Sequence, residues 1–195
     1  MKKIEFVYRE LVYQAMEKKT FRLTQAQLAA DLKMSLSTVN LALEPLRRMN
    51  AIAVLRRGLV VKDVKKVLYY WASVRNLEKD VVYASRSDKT VRTIEAEMPA
   101  GAVFAGFSAF KFRYKDVPAD YSEVYVYADE SQIKKRFSQN ALQPNIIVLE
   151  KDDRMDRYGN VVTAGQLFVD LWNMKQWYAK EFLSALEVRL DGILA

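Results

Sequence analysis

The chain has 195 residues, of which 51% are hydrophobic and 12% aromatic, a composition that excludes a disordered tail and allows one large or two small folded domains. It contains no cysteine and no histidine, which excludes disulfides, thiolate nucleophiles, imidazole bases and the usual zinc ligands. The first 75 residues hold 15 of the 31 basic and 6 of the 24 acidic residues, so their net charge is +9 and that of the remainder is −2. A basic region of this kind is typical of a nucleic-acid-binding surface.

The sequence shows no sign of membrane insertion or export. No apolar run approaches the roughly 18 residues that a membrane span needs. The segment Met1–Glu5 alternates charged with apolar side chains, unlike the apolar core of a signal peptide. We therefore expect a soluble, cytoplasmic protein with no membrane partner.

Two helices are predicted at the start of the chain. Apolar residues at spacings of three and four indicate an amphipathic helix over Glu5–Lys18. A short helix is expected over Gln25–Lys33. Thr24 stands three residues before Gln27, the capping-box pattern in which a hydroxyl and an amide each satisfy a backbone donor at a helix start.

A third helix is predicted from about Ser37 to Asn50. Its apolar residues form one stripe that should pack on the first two helices: Val39, Ala42, Leu43, Leu46 and Met49. Pro45 lies inside this helix and removes one hydrogen bond. Either the helix bends there, or its predicted position is wrong by one turn. The small polar side chains on the first exposed turn are of the kind that reaches base edges in a major groove.

A β-hairpin is expected next, with strands over Ala51–Leu55 and Leu59–Val61 around Arg56-Arg57-Gly58. The glycine supplies the backbone freedom that a tight turn needs. The two arginines at the tip could contact phosphates or enter a minor groove, although a solvated pair is the alternative. A helix follows over Asp63–Asn76.

These elements predict two domains: a winged helix-turn-helix DNA-binding domain with a linker helix over 1–78, and an α/β effector or partner-binding domain over 79–195. In the second part, strands are expected over 80–84, 123–128 and 145–149. Helices are expected over 88–97, 130–137, 163–174 and 176–194. The spacing of the phenylalanines in 102–114 fits either a strand or a helix, and Gly106, Ser108 and Ala109 favour a buried helix there. Interleaved strands and helices indicate an α+β fold with a mixed α/β domain that ends in a pair of C-terminal helices.

The predicted interface combines small polar side chains of the third helix with basic side chains around them. Its candidate DNA-binding residues are Ser35, Ser37, Thr38, Asn40, Arg47, Arg48, Arg56, Arg57 and Lys62. The expected partner is double-stranded DNA and the expected function is sequence-specific transcriptional regulation. A winged-helix fold used only for protein contacts is the alternative.

One recognition helix reads only a few base pairs, so specific binding predicts two copies of the chain, as a homodimer or paired on a repeated site. The candidate dimer surfaces are the last helix, Gln176–Leu194, and the helix over Asp63–Asn76. No catalytic residue, metal or cofactor is expected.

An enzymatic alternative depends on acidic residues near predicted strand ends. Asp129, Glu130, Glu150, Asp152, Asp153 and Asp156 could hold magnesium, as in nucleotidyltransferases or nucleases with a winged-helix targeting domain. The chain has neither a Gly-Ser followed by paired aspartates nor a nuclease Glu-x-Lys strand. DNA binding without catalysis is therefore the favoured interpretation.

Aromatic residues of the second part allow two interpretations. Phe104, Phe107, Phe110, Trp172, Trp177 and Tyr178 could line a ligand pocket. Aromatic residues at helical spacing mostly belong to a core, however, and the core interpretation is favoured.

Residues 23–61 resemble the winged-helix regulators of the MarR and related types. The resemblance covers Leu23-Thr24, Ser37-Thr38-Val39-Asn40, Leu43, Leu46 and Ile52. It implies a winged-helix fold and binding to DNA.

Later segments resemble the carboxy-terminal half of AbiEi-type antitoxins. The matching segments are Gly101–Phe110, Glu123–Tyr127, Val162–Thr163 and Phe168–Leu171. Those antitoxins are winged-helix regulators that repress their own operon beside a nucleotidyltransferase-like toxin. The resemblance implies an antitoxin-like autorepressor with a cognate toxin or another protein partner, and it implies no catalytic residue on this chain.

Overall fold

The computed structural model describes residues 1–137 and 143–194, and it is a mixed α+β structure. The chain divides into two compact units. The first contains 1–75, 164–169 and the chain from Glu187 onward, and the second contains 76–163 and 170–186. Within the described residues, no helix is long and apolar enough to cross a membrane.

The first unit combines helices with a small antiparallel sheet. Its elements are α1 (Lys3–Met16), β1 (Arg22–Leu23), α2 (Gln25–Asp31), α3 (Leu36–Arg48), β2 (Ile52–Leu55), β3 (Gly58–Val61) and α4 (Val64–Val74). The sheet order is β1-β3-β2. Leu55 pairs with Gly58 across a two-residue turn, and Leu23 pairs with Leu59, so β3 lies between the other two strands.

The helices of the first unit pack around a core that includes a buried ion pair. α1 contacts both α3 and α4. The Arg75 guanidinium lies 3.6 Å from the Glu5 carboxylate, and Trp71 Nε1 donates a hydrogen bond to the same carboxylate at 3.1 Å. All three side chains are buried. Because removal of one buried ionic partner leaves the other uncompensated, loss of either Glu5 or Arg75 should destabilise the packing of this unit.

In this region the capping box is confirmed, whereas the start of α3 and the number of strands need correction. The capping box forms, since Thr24 accepts a hydrogen bond from the Gln27 backbone and the Gln27 side chain accepts one from the Thr24 backbone. α3 starts at Leu36, and Pro45 does not end it, because the helix continues to Arg48. The strand β1 was not predicted: two residues are too few to show a periodicity, and β1 exists through its pairing with β3.

The second unit contains a four-stranded mixed sheet. Its elements are β4 (Val81–Ser85), α5 (Val91–Ala96), β5 (Val103–Ala105), α6 (Gly106–Tyr114), β6 (Val124–Ala128), α7 (Glu130–Lys134) and β7 (Ile146–Glu150). The strand order is β4-β7-β6-β5, and β6 and β7 are parallel while the outer pairs are antiparallel. Two later helices, α8 (Ala164–Trp172) and α9 (Ala179–Leu194), have residues in both units.

The prediction of one buried helix over 102–114 is wrong in its first part. Residues Val103–Ala105 form the edge strand β5, and α6 begins only at Gly106. Gly106 has a φ of +52°, and a Cβ at this position would clash with the Met174 side chain. Glycine therefore lets the chain change from strand to helix at a point where the periodicity of the phenylalanines allows either structure.

Candidate nucleic-acid interface

α3 presents an exposed face because its opposite face is buried. Four apolar residues lie in the core: Val39, Ala42, Leu43 and Leu46. The exposed residues recur at spacings of three and four and thus share one side of the helix: Leu36, Ser37, Asn40, Leu41, Glu44, Arg47 and Arg48. Thr38 is half-buried. The predicted candidates on this helix therefore lie on a face that solvent reaches.

A cluster of hydroxyl groups marks the amino-terminal end of α3. Ser35 Oγ accepts a hydrogen bond from the Thr38 backbone N–H at 3.2 Å. It also lies 2.8 Å from Ser37 Oγ and 2.9 Å from Thr38 Oγ1. Ser35 is therefore the N-cap of the helix and stabilises its first turn, whereas exposed Ser37 can exchange its partner for a group on DNA.

The two arginines at the end of α3 both have partners on the helix. Arg47 Nη2 donates to the Asn40 backbone oxygen at 3.3 Å and to Asn40 Oδ1 at 3.2 Å. Arg48 forms an exposed ion pair with Glu44 one turn earlier. Long side chains on a helix point toward its amino terminus, which brings these guanidinium groups back along α3.

The hairpin between β2 and β3 carries two arginines at its tip, as predicted. Arg56 and Arg57 form the two-residue turn and are exposed. Lys62, directly after β3, is exposed as well. Within 1–137 and 143–194, the structure gives none of these three side chains a hydrogen bond or ion pair. They can therefore bind an anion without breaking an existing contact.

Gly58 sets the shape of this hairpin. Its φ is +127°, and an added Cβ would lie 2.6 Å from the Leu23 carbonyl oxygen of β1. Other residues rarely adopt this conformation, and their side chains would also displace β1. The Arg-Arg-Gly sequence thus combines the charged tip with the backbone geometry that holds it.

A second polar region lies in the second unit, at the carboxyl ends of β6 and β7. A cavity of about 640 Å³ opens here. It is lined by Val82, Ala128, Asp129, Glu130, Glu150, Lys151, Asp152, Asp153 and Asp156. All six carboxylates of the enzymatic alternative therefore line one cavity, because the carboxyl ends of parallel strands meet at the same edge of a sheet.

The chemistry of this acidic cavity is limited by its internal contacts. Lys151 Nζ bonds to the Gly101 carbonyl oxygen at 2.7 Å and to Asp156 at 2.5 Å. Hydrogen bonds from the Ser131 side chain and backbone lower the pKa of Asp129 below its ordinary value. In the described part of the chain, no group of three or more acidic side chains is arranged to hold a metal ion.

The aromatic residues of the second unit divide between the core and the surface. Phe107 and Phe110 are fully buried, and the centroid of the Phe107 ring lies 4.9 Å from the centroid of the Phe182 ring. This arrangement supports the core interpretation for these two phenylalanines. Trp177 is 75% exposed and Trp172 is 45% exposed. The prediction that Trp177 lies on the last helix is wrong, since α9 begins at Ala179.

No protein-family model, curated protein or solved structure matches this chain. Its function is therefore inferred from the residues of the two polar regions. The exposed face of α3 and the hairpin tip together are basic, and the cations of the hairpin tip have no partner in the part of the chain that the structure describes. The cavity of the second unit is acidic.

Proposed function

We propose that the chain is a sequence-specific DNA-binding transcriptional regulator whose first unit is a winged helix-turn-helix. α2 and α3 are the helix-turn-helix, and the β2–β3 hairpin is the wing. The observation that carries the proposal is the pair of arginines, Arg56 and Arg57, that have no partner among the described residues. They form the tip of a tight hairpin in the unit that also exposes a polar face on α3. The net charge of +9 in residues 1–75 supports it independently.

In this proposal α3 lies in the major groove and the wing contacts the DNA backbone. Ser37, Thr38 and Asn40 lie on the first turns of α3, where a recognition helix contacts base edges. Arg56, Arg57 and Lys62 neutralise phosphates and release counterions, which supplies affinity without sequence preference. Specificity then resides on α3 and most of the affinity on the wing.

The acidic cavity supports a second candidate, a magnesium-dependent nucleic-acid enzyme. Carboxylates at the carboxyl ends of two parallel strands are a common setting for a magnesium site. Regulation is favoured because the carboxylates of this cavity do not converge as a group of metal ligands within the described residues. One cavity-lining carboxylate, Asp156, also has Lys151 as its partner.

The antitoxin-like resemblance extends the proposal to a protein partner. Trp172 and Trp177 of the second unit expose large apolar surfaces, and exposed tryptophan is enriched where proteins bind one another. A second copy of the chain on a repeated DNA site would give the discrimination that one recognition helix lacks. The α4 candidate for a dimer surface is weak, because Val67, Leu68 and Trp71 are buried within the unit.

A gel-shift assay on the DNA upstream of the protein's own coding sequence tests the proposal. The full chain is titrated onto this duplex and onto a random duplex of equal length, with and without magnesium. We expect retarded but intact DNA, with tighter binding to the upstream duplex. Cleavage that requires magnesium would favour the enzyme instead, and the absence of any complex at low salt would refute both candidates.

A further inference from the structure

The middle of the exposed α3 face carries an amide beside an apolar side chain. Asn40 is exposed, and Leu41 is 62% exposed although leucine ordinarily lies in a core. Leu36, four residues before Asn40, is 51% exposed. The exposed face therefore offers both a hydrogen-bonding group and apolar surface to a ligand.

The contact with Arg47 determines how the Asn40 amide is oriented. A guanidinium group has only donors, so the amide atom that faces Arg47 Nη2 at 3.2 Å is the oxygen. That oxygen keeps a second lone pair, and the amide nitrogen keeps its two donors. Asn40 thus presents a fixed acceptor and donor side by side, and Arg47 acts as a positioning residue.

The arginines of α3 are poorly placed for the commonest base contact, which is a bidentate bond from arginine to guanine. Arg47 is folded along the helix toward Asn40, and Arg48 is paired with Glu44. Guanine presents two acceptors in the major groove, whereas adenine presents an acceptor at N7 and a donor at N6. The acceptor and donor of an asparagine amide match adenine and do not match guanine.

We propose that α3 reads an A·T-containing step of its DNA site. The Asn40 amide bonds to N7 and N6 of an adenine, and the Leu41 side chain packs against the methyl group of a thymine in the same or the adjacent pair. This inference rests on the proposed function, because it names the bases that the same helix recognises.

The first stage of the test uses the unaltered full chain. Duplexes that it retains from a random library are sequenced, and the enriched site is expected to contain a fixed A·T pair. That adenine is then replaced by 7-deazaadenine, which lacks the N7 acceptor, and the thymine by deoxyuridine, which lacks only the methyl group. We expect about 5- to 100-fold weaker binding for the first change and about fourfold weaker binding for the second, the value of one methyl group removed from water.

The second stage assigns each effect to its residue. Asn40→Ala should bind the 7-deazaadenine duplex and its parent equally, and Leu41→Ala should bind the deoxyuridine duplex and its parent equally. Arg47→Ala should reduce the 7-deazaadenine effect, since the amide loses its fixed orientation, whereas Arg48→Ala should retain that effect. The side chains at 40 and 41 are both exposed. The variants should therefore have the same melting temperature as the unaltered chain, measured by circular dichroism.

The outcomes separate this inference from the proposed function. Specific binding without a fixed A·T pair, or a 7-deazaadenine effect that persists in Asn40→Ala, would overturn the base assignment and leave DNA binding intact. Should Asn40→Ala fail to fold, the analogue duplexes still test the inference on the unaltered chain, where equal affinity for parent and analogue overturns it. Failure to retain any duplex at low salt would overturn both proposals.

Discussion

The two polar regions of the molecule differ in what their charged groups already bind. At the hairpin tip of the first unit, Arg56 and Arg57 have no partner within the described residues. At the acidic cavity of the second unit, Lys151 bonds to Asp156 and to a backbone oxygen. A free cation can neutralise a phosphate at no cost in existing contacts, whereas an engaged group must first give up a partner.

The comparison shows that the charge of a surface does not by itself identify a nucleic-acid interface. α3 shows the same point on a smaller scale, because Arg48 is neutralised by Glu44 while the hairpin arginines are not. Exposed ion pairs contribute little to stability, about 0 to 1 kcal/mol, yet they change which groups a ligand meets. Affinity for DNA should therefore depend most on the hairpin and least on the acidic cavity.

The largest expected effect is on DNA affinity. Replacement of both Arg56 and Arg57 by alanine should weaken binding to specific and random duplexes alike, by roughly 10- to 100-fold at low salt, because two charge-assisted contacts are lost. The slope of log affinity against log salt should flatten by up to about two units. Fluorescence anisotropy with a labelled duplex measures both quantities.

A charge-matched control separates the hairpin from net charge. Lys79→Ala with Lys180→Ala removes two exposed cations from the second unit. This variant should bind DNA nearly as well as the unaltered chain. Equal losses of DNA affinity in the two variants would show that the hairpin is not part of the DNA interface.

The next effect in size is expected on stability, when the backbone geometry of the hairpin is disturbed at Gly58. Gly58→Ala forces a side chain into a φ of +127° and against the Leu23 carbonyl oxygen, and it should lower the free energy of unfolding by about 1 to 3 kcal/mol. Gly192→Ala is the matched control, since a Cβ there meets no atom of another element within 4 Å among the described residues. In a helix this change should instead raise that free energy by about 0.5 to 1 kcal/mol. Urea unfolding of both variants measures whether the free energy of unfolding falls in Gly58→Ala and rises in Gly192→Ala.

The smallest effect is expected at the acidic cavity. Glu150→Gln with Asp153→Asn should change DNA affinity by no more than about twofold at physiological salt, because neither residue belongs to the proposed DNA surface and salt screens charges that make no direct contact with DNA. Neither the variant nor the unaltered chain should cleave DNA when magnesium is added. A large loss of affinity, or a nuclease activity that this variant abolishes, would place nucleic-acid chemistry in the second unit.

Local patterns predicted most elements of the first unit and much of its candidate site. Caps and apolar spacings are properties of a few consecutive residues, which is why the Thr24 cap, four residues of the α3 stripe and the position of Arg56 and Arg57 at the hairpin tip were predicted from sequence. The predicted turn also included Gly58, which belongs to β3. The partners of Arg47 and Arg48 were not found. Which rotamer an exposed arginine adopts depends on its neighbours in space and is not visible in a hydropathy pattern.

Elements that depend on long-range contacts were missed. β5 is an edge strand of three residues that exists because it pairs with β6. Residues 164–169 and the end of α9 belong to the first unit; Gly165, for example, lies where a Cβ would clash with Val12. A local sequence pattern cannot predict that residues about ninety positions after Arg75 belong to the same unit as residues 1–75.

The salt dependence of DNA binding by the full chain shows most clearly whether the hairpin cations contact phosphates. Anisotropy titrations of one duplex over a series of salt concentrations give the slope of log affinity against log salt. Arg56, Arg57 and Lys62, which have no partner among the described residues, predict a slope of about −3 for each bound chain, since each neutralised phosphate contributes about −0.9. A slope near zero, or no binding at the lowest salt concentration, would contradict the assignment of this surface to DNA.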